Sequence, residues 1–367
     1  MKRLVLGFVI MSFCFNFDVP TQSVNSDQAS GPESQICKKG NAAPTNKDNT
    51  KPAEPVKEAK EHHLPSDPQF LLVDAVPETV TIGSLPPLHF LNETVFEKTA
   101  SEREDDENIL SRTSEQRSDL ISGVYEGGLK VWECTYDLLE LMERDGETFG
   151  GKAVLDLGCG AGLLGILALK RGASHIHFQD YNSTVIEQLT VPTVILNCQE
   201  DDEIDSEDDK EGRGNGKLQE EESCGKTLKE KEASKDGSTP PKRRAIDLSQ
   251  HPLLSKCRFF SGDWSTFLDL VLKESSPPKY DIIFTSETIY NAAYYPTLHE
   301  TLHKLLAPDG LVYLATKSHY FGVGGGLHLF ETFVEQRGTF SVDHLWEGEE
   351  GLQRHVVVLR FKKTNAI

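Results

Sequence analysis

Hydrophobic positions are spread unevenly along this chain. Between Asn41 and Pro65 large apolar residues almost vanish, and such a stretch has no core to bury. From Ala153 onward short apolar runs alternate with helically spaced ones. Ala153-Val-Leu-Asp-Leu-Gly predicts a buried strand that ends in glycines. Leu163 to Lys170 predicts a helix, His175 to Asp180 a strand, and Ser183 to Leu189 a helix. After an interruption, Cys257 to Ser261 and Tyr280 to Ser286 read as strands around a helix from Ser265 to Leu272. A helix at Thr297 to Leu306, a strand at Leu311 to Thr316 and a helix at Leu327 to Glu335 follow. Two strands with no helix between them, Phe340 to Leu345 and His355 to Phe361, close the pattern.

Repeated strand-helix-strand units predict an α/β fold, a doubly wound, mainly parallel seven-stranded sheet. The final short connection makes the last strand antiparallel. Ahead of this alternation, Leu129, Trp132, Tyr136, Leu139 and Leu141 approximate one helical face, preceded by Gly127 and Gly128. The folded domain is expected over 111–367. Residues 1–110 are expected to be mostly disordered, with short docking strands or turns at Phe70 to Leu72 and Leu85 to Phe90. The interruption at 199–250 opens on an acidic run and ends in Pro240-Pro-Lys-Arg-Arg, a disordered insert by composition.

Charge sharpens the picture. Asp plus Glu outnumber Lys plus Arg by 58 to 38, a formal net charge of −20, which disfavours direct DNA binding through a broad basic surface. Seven widely spaced cysteines without a CxxC pair fit a reducing compartment and no metal site. No apolar run reaches membrane-spanning length. Met1 to Asn16 has the basic start and apolar run of a secretory leader, but no small-x-small cleavage site follows and Met11 is an alternative start. An intracellular location is expected.

Five places could carry chemistry. In Val154-Leu-Asp-Leu-Gly-Cys-Gly-Ala-Gly a strand runs into a glycine turn that opens a helix, which lets an adenosine-type cofactor lie across bare backbone. A structural turn is the plainer alternative. The spacing of Gly158, Gly160 and Gly162 departs from the dinucleotide pattern, and Asp156 sits just before the turn. Asp180-Tyr181-Asn182 ends the second strand of the alternation. Asp180 there either accepts both ribose hydroxyls or, with Asn182, caps a helix. Gly262-Asp263-Trp264 ends the third, where a carboxylate could meet an adenine amino group and an indole could wall the ring or simply fill core. Ser286-Glu287-Thr288-Ile289-Tyr290 ends the fourth, as an acid and a phenol flanking a pocket or as a capped helix start. Lys317 to Gly326 reads as a pliable substrate-side loop with an ambiguous His319, and lacks the ending of a phosphate loop.

Together these segments resemble the seven-β-strand methyltransferases, and among them the histidine protein methyltransferase family. The resemblance rests on Gly123-Val-Tyr-Glu-Gly-Gly-Leu-Lys-Val-Trp-Glu-Cys-Thr, Val154-Leu-Asp-Leu-Gly-Cys-Gly, His177-Phe-Gln-Asp-Tyr-Asn, Phe259-Phe-Ser-Gly-Asp-Trp, Thr285-Ser-Glu-Thr-Ile-Tyr-Asn and His319-Tyr-Phe-Gly-Val-Gly-Gly-Gly. Phe13 to Phe17 also resembles that family's start. The resemblance implies S-adenosyl-L-methionine as cofactor. It places the cofactor site at Val131, Trp132, Glu133, Cys134, Thr135, Gly158, Gln179, Asp180, Tyr181, Gly262, Asp263, Trp264 and Ser286; Asp156 and Gly160 join it from the glycine turn, and the chemistry of histidine methylation gives Glu287 and Tyr290 as residues positioning the substrate. It further implies methylation of the tele nitrogen of a histidine in the third large-subunit ribosomal protein, with effects on ribosome biogenesis and translation elongation; the acidic charge and a concave site at the strand ends lead us to expect that this occurs before assembly. Chaperones of that protein are further candidate partners, and the cytoplasm, nucleus and nucleolus the expected locations. The Asn-Pro-Pro-Tyr motif of amide and base methyltransferases is absent, which favours a protein side chain. A lysine-directed relative and a non-catalytic scaffold are the alternatives at this stage.

Overall fold

The computed structural model describes residues 56–65, 68–72, 75–91, 107–116, 119–198, 251–348 and 353–363. In chain order, β1 is Lys60–His62, β2 Pro77–Val80, β3 Leu88–Leu91, α1 Ile109–Gln116, α2 Glu133–Asp145, β4 Ala153–Leu157, α3 Leu163–Lys170 and β5 His175–Asp180. Helix α4 begins at Ser183–Val185, widens into a π-turn over Ile186–Thr190 and continues through 191–198. Then come β6 Cys257–Ser261, α5 Trp264–Leu272, β7 Tyr280–Ser286, α6 Tyr295–Leu305, β8 Leu306–Lys317, α7 Leu327–Arg337, β9 Phe340–Glu347 and β10 Arg354–Phe361.

One eight-stranded sheet carries the order β1-β6-β5-β4-β7-β8-β10-β9. The strands from β6 to β8 run parallel, and β10 is antiparallel to both β8 and β9. The last strand thus slots between its two predecessors. Side chains alternate across the pleat. Val154, Ile176, Phe178, Ile282 and Phe284 pack with Leu138, Ile166 and Val194 of the α2, α3 and α4 layer. Leu155, Leu157, Phe260 and Ile283 pack with Phe267, Leu298 and Phe330 of the α5, α6 and α7 layer. Helix α3 is buried along nearly all of its length, and any side chain at Gly165 would sit 2.4 Å from the Phe178 ring. Because β4 is flanked by β5 on one side and β7 on the other, the turns after β4, β5, β6 and β7 converge at one rim of the sheet, where ligands bind in such folds.

Two expectations need correction. The sheet has eight strands, because β1 pairs antiparallel with β6, Lys60 opposite Ser261. Within residues 1–110, the stretch expected to supply a docking strand at Leu85 to Phe90 forms the β2–β3 hairpin, which buries Leu88–Leu91, and Asn197 clasps the backbone of His89 through both amide groups, at 3.0 and 2.6 Å. Leu129 and Trp132 precede α2, which starts at Glu133. The insert 199–250, its Pro240-Pro-Lys-Arg-Arg run and the stretch before residue 56 lie outside the described residues.

Candidate active site

The turn between β4 and α3 is built on left-handed backbone: φ is +70° at Gly158 and +51° at Gly160, a region open to glycine. The N–H groups of Gly158 and Cys159 both donate to the Gln179 carbonyl, at 2.8 and 2.9 Å. Asp156 is buried and accepts from the Gly165 N–H at 2.9 Å. Burial lifts its pKa to about 7. It therefore holds the start of α3 and does not line the cavity. A Cβ at Gly158 would come within 2.7 Å of Thr288, and one at Gly160 within 3.0 Å of the Gly128 carbonyl. The floor of the site is bare backbone over which residues 123–132 close.

A cavity of about 290 Å³ opens above this floor. Asp180 lines it from the end of β5 and accepts from the Gly160 N–H at 3.0 Å and the Asn182 N–H at 3.2 Å. Burial lifts Asp180 to about 6, against the pull of those N–H groups. Asn182 occupies the N-cap position of α4 without capping it. Its side chain instead ties down the loop before α2, accepting from the Glu126 N–H and donating to the Val124 carbonyl. Tyr181, Asp263 and Trp264 line the same wall. Asp263 caps α5 through the Ser265 N–H at 2.8 Å. Gln179 and Gly262 stand behind it: the Gln179 amide donates to the Asp180 and Gly262 carbonyls and accepts from the Trp264 indole at 3.0 Å. Gln179 thus sets the posture of the wall.

Val131, Trp132, Thr135, Gly158, Gly160 and Ser286 also line the cavity, with the Thr135 hydroxyl donating to Ser286 at 3.2 Å. Glu133 and Cys134 do not. Cys134 is buried beneath the site, and Glu133 reaches Lys317 at 3.2 Å. At this end Glu287 is buried in left-handed backbone, φ +58°, a strained state for a side chain of this size. Its Oε2 accepts from the Tyr320 hydroxyl at 2.6 Å, and its Oε1 lies 3.4 Å from Lys317 Nζ. Oε1 accepts no hydrogen bond from the described residues. Tyr290 donates to Glu126, which also receives the Tyr294 hydroxyl at 3.2 Å and the Gly123 N–H at 2.6 Å. Burial raises the Glu126 carboxyl. A smaller pocket lined by Glu126, Trp132, Glu287, Tyr290 and Tyr320 adjoins this end.

Sequence reasoning missed several of these residues. Val56 and Lys57 line the cavity. Lys57 lies 4.7 Å over the Tyr181 ring, pairs with Glu107, and its carbonyl accepts from the Asp263 N–H at 3.1 Å. Nothing in that Lys- and Glu-rich stretch marks it. Glu126 sits inside the Gly123 to Thr135 segment, where an acid between a tyrosine and two glycines was the available signal. The loop from Lys317 to Gly326 is pinned where pliability was expected. A Cβ at Gly325 would fall 2.2 Å from the Tyr290 carbonyl carbon, and the Gly325 N–H donates to the Tyr290 carbonyl at 2.8 Å. His319 is exposed on this loop and packs edge-on against Phe321. Gly325→Ala is expected to displace Tyr290, lowering turnover at least about tenfold and thermal stability by about 1–3 kcal/mol. Steady-state kinetics and melting curves would read this, and an unchanged rate would contradict it.

Bare glycine backbone, an acid at the end of β5 and an indole after β6 suit an adenosine-bearing methyl donor. A methyltransferase-domain family model matches residues 134–345. The histidine protein methyltransferase 1 homologue of Bos taurus is 46% identical over 309 residues, covering 84% of this chain and 74% of the relative. Histidine protein methyltransferase 1 of Saccharomyces cerevisiae is 29% identical, covering 70% and 69% of the two chains. A TehB-like SAM-dependent methyltransferase from Corynebacterium glutamicum superposes with a TM-score of 0.35 at 15% identity, covering 74% of this chain and 100% of that one. With a methyltransferase model across more than half its length and a relative this similar, the chain belongs to the histidine protein methyltransferase family, enzymes whose methyl donor is S-adenosylmethionine.

Proposed function

We propose that this protein methylates the tele nitrogen of one histidine in the third large-subunit ribosomal protein, before assembly, and thereby acts on ribosome biogenesis and translation elongation. The observation that carries the chemistry is Glu287, which lines the cavity with its carboxylate set between the Tyr320 hydroxyl and the Lys317 ammonium. Asp180 would accept the ribose hydroxyls, Asp263 and Trp264 would hold the adenine, and Thr135 and Ser286 the amino-acid end. When bound, the cofactor supplies a methyl group already activated on sulfonium. The protein's task is then positioning and exclusion of water. A neutral imidazole near pH 7 offers one lone pair and one N–H. The Glu287 carboxylate accepts that N–H, fixing the tautomer and turning the other nitrogen toward the methyl group. Tyr290, held by Glu126, walls the approach. No strong base is required, whereas a lysine nucleophile would first have to lose a proton. The names of the relatives support histidine over lysine.

The net charge of −20 supports a basic, unassembled partner and opposes docking on ribosomal RNA. Action in cytoplasm and nucleus, including the nucleolus, fits the same partner. The deciding experiment offers enzyme and labelled cofactor either free ribosomal protein or intact large subunits from cells lacking the enzyme, followed by amino-acid analysis. Labelled tele-methylhistidine in the free protein alone is expected. Label on lysine, or equal label on subunits, would overturn the reading.

A further inference from the structure

We propose that Lys317 is a positioning residue for the transfer, its buried ammonium fixing the direction of the Glu287 carboxylate at the cavity wall. This rests on the reading that Glu287 receives the N–H of the substrate imidazole. Lys317 is the last residue of β8 and is 2% exposed. A lysine is almost never buried so far without ionic partners. Its Nζ lies 3.4 Å from Glu287 Oε1, 3.2 Å from Glu133 Oε2 and 5.5 Å from the centre of the Trp132 ring. An apolar side chain would suit the surrounding core as well, since Leu314 and Ala315 precede it on the strand and are fully buried.

The groups around Glu287 leave this job to Lys317. From α2, Cys134 faces it while Glu133 faces Lys317; from the segment after β8, Tyr320; and around the adjoining pocket, Asp119, Glu126 and Tyr290. Burial pushes the Cys134 thiol and the Tyr290 and Tyr320 phenols upward, so they remain neutral. Of these groups Lys317 alone is a cation. It is shared by two carboxylates, and the other cation acting on Glu133 and Cys134, Arg354 of β10, is paired with Asp137 at 2.6 Å. The Glu287 carboxylate lies at the cavity wall, where the imidazole would become an imidazolium as its nitrogen gains the methyl carbon. The arrangement lets Glu287 hold the ring N–H and stabilise the product cation without taking the proton itself.

The test compares kcat and KM for a histidine peptide at saturating cofactor, in the full chain. Lys317→Met should lower kcat about tenfold or more while KM and cofactor affinity stay within about threefold. Lys317→Arg, which keeps the cation, should recover most of that loss, and in an E287Q background Lys317→Met should cost little more. Should K317M not fold, Lys317→Gln, which keeps an N–H donor without the charge, carries the same measurement. A normal kcat in folded K317M or K317Q, with E287Q impaired, would overturn the role of Lys317. Full activity in E287Q would instead remove the role of Glu287 on which the proposal stands.

Discussion

Asp180→Ala is expected to weaken cofactor binding at least about a hundredfold while the chain still folds. Two hydrogen bonds from ribose hydroxyls to a carboxylate contribute roughly 1.5–3 kcal/mol each, and the residue lines the cavity at the end of β5. Its environment adds a pH dependence. Burial lifts the carboxyl from 3.8 to about 6, and only the ionised form can accept from both hydroxyls. Affinity should therefore fall about tenfold per pH unit as the pH drops below that value. The sign for stability is opposite. Between the unfolded value and about 6 the folded, cofactor-free chain holds a proton that the unfolded chain has lost, so stability declines as pH rises through that window. Asp156, lifted to about 7, extends the decline. Calorimetric titration from pH 5 to 8 and denaturant unfolding of the apoprotein would read both. Constant affinity across that range, or unaltered affinity in Asp180→Ala, would rule out this role.

Glu287→Gln should lower the maximal methylation rate by about 10²–10³ and leave cofactor affinity within about threefold. Glutamine keeps the volume and can still meet the Tyr320 hydroxyl. It removes the charge that orients the imidazole and balances the ring's developing positive charge. The left-handed backbone at Glu287 fits such a purpose, since it swings the carboxylate between Tyr320 and Lys317 at a local cost of about 1–3 kcal/mol. Single-turnover rates with peptide and labelled cofactor separate this loss from binding. A variant that turns over at the normal rate would assign the acceptor to another group.

The strand-helix alternation from β4 to β10 was legible because each apolar run, glycine turn and helical face is encoded within a few neighbouring residues. The same locality placed Gly158, Asp180, Asp263 and Ser286 at strand ends, and the order of the strands brought them together around one cavity. What locality does not encode is which way a side chain looks and what comes to meet it. Asp156, Gln179, Gly262, Glu133 and Cys134 were expected in the cofactor site, yet the pleat and the turn of α2 direct them behind it. Trp264 is placed at the wall only by the context of the neighbouring strand ends, and in the structure it lines the cavity with its indole donating to Gln179. The edge strand Lys60–His62 lacks the alternation of a buried strand, and its partner β6 lies about 200 residues away in sequence. Lys317, Glu287 and Glu133 likewise come from three distant segments. Local periodicity therefore determined the elements and the rim at which they end, while long-range packing alone decided which charges are buried together there, because burial and pairing are properties of neighbours in space.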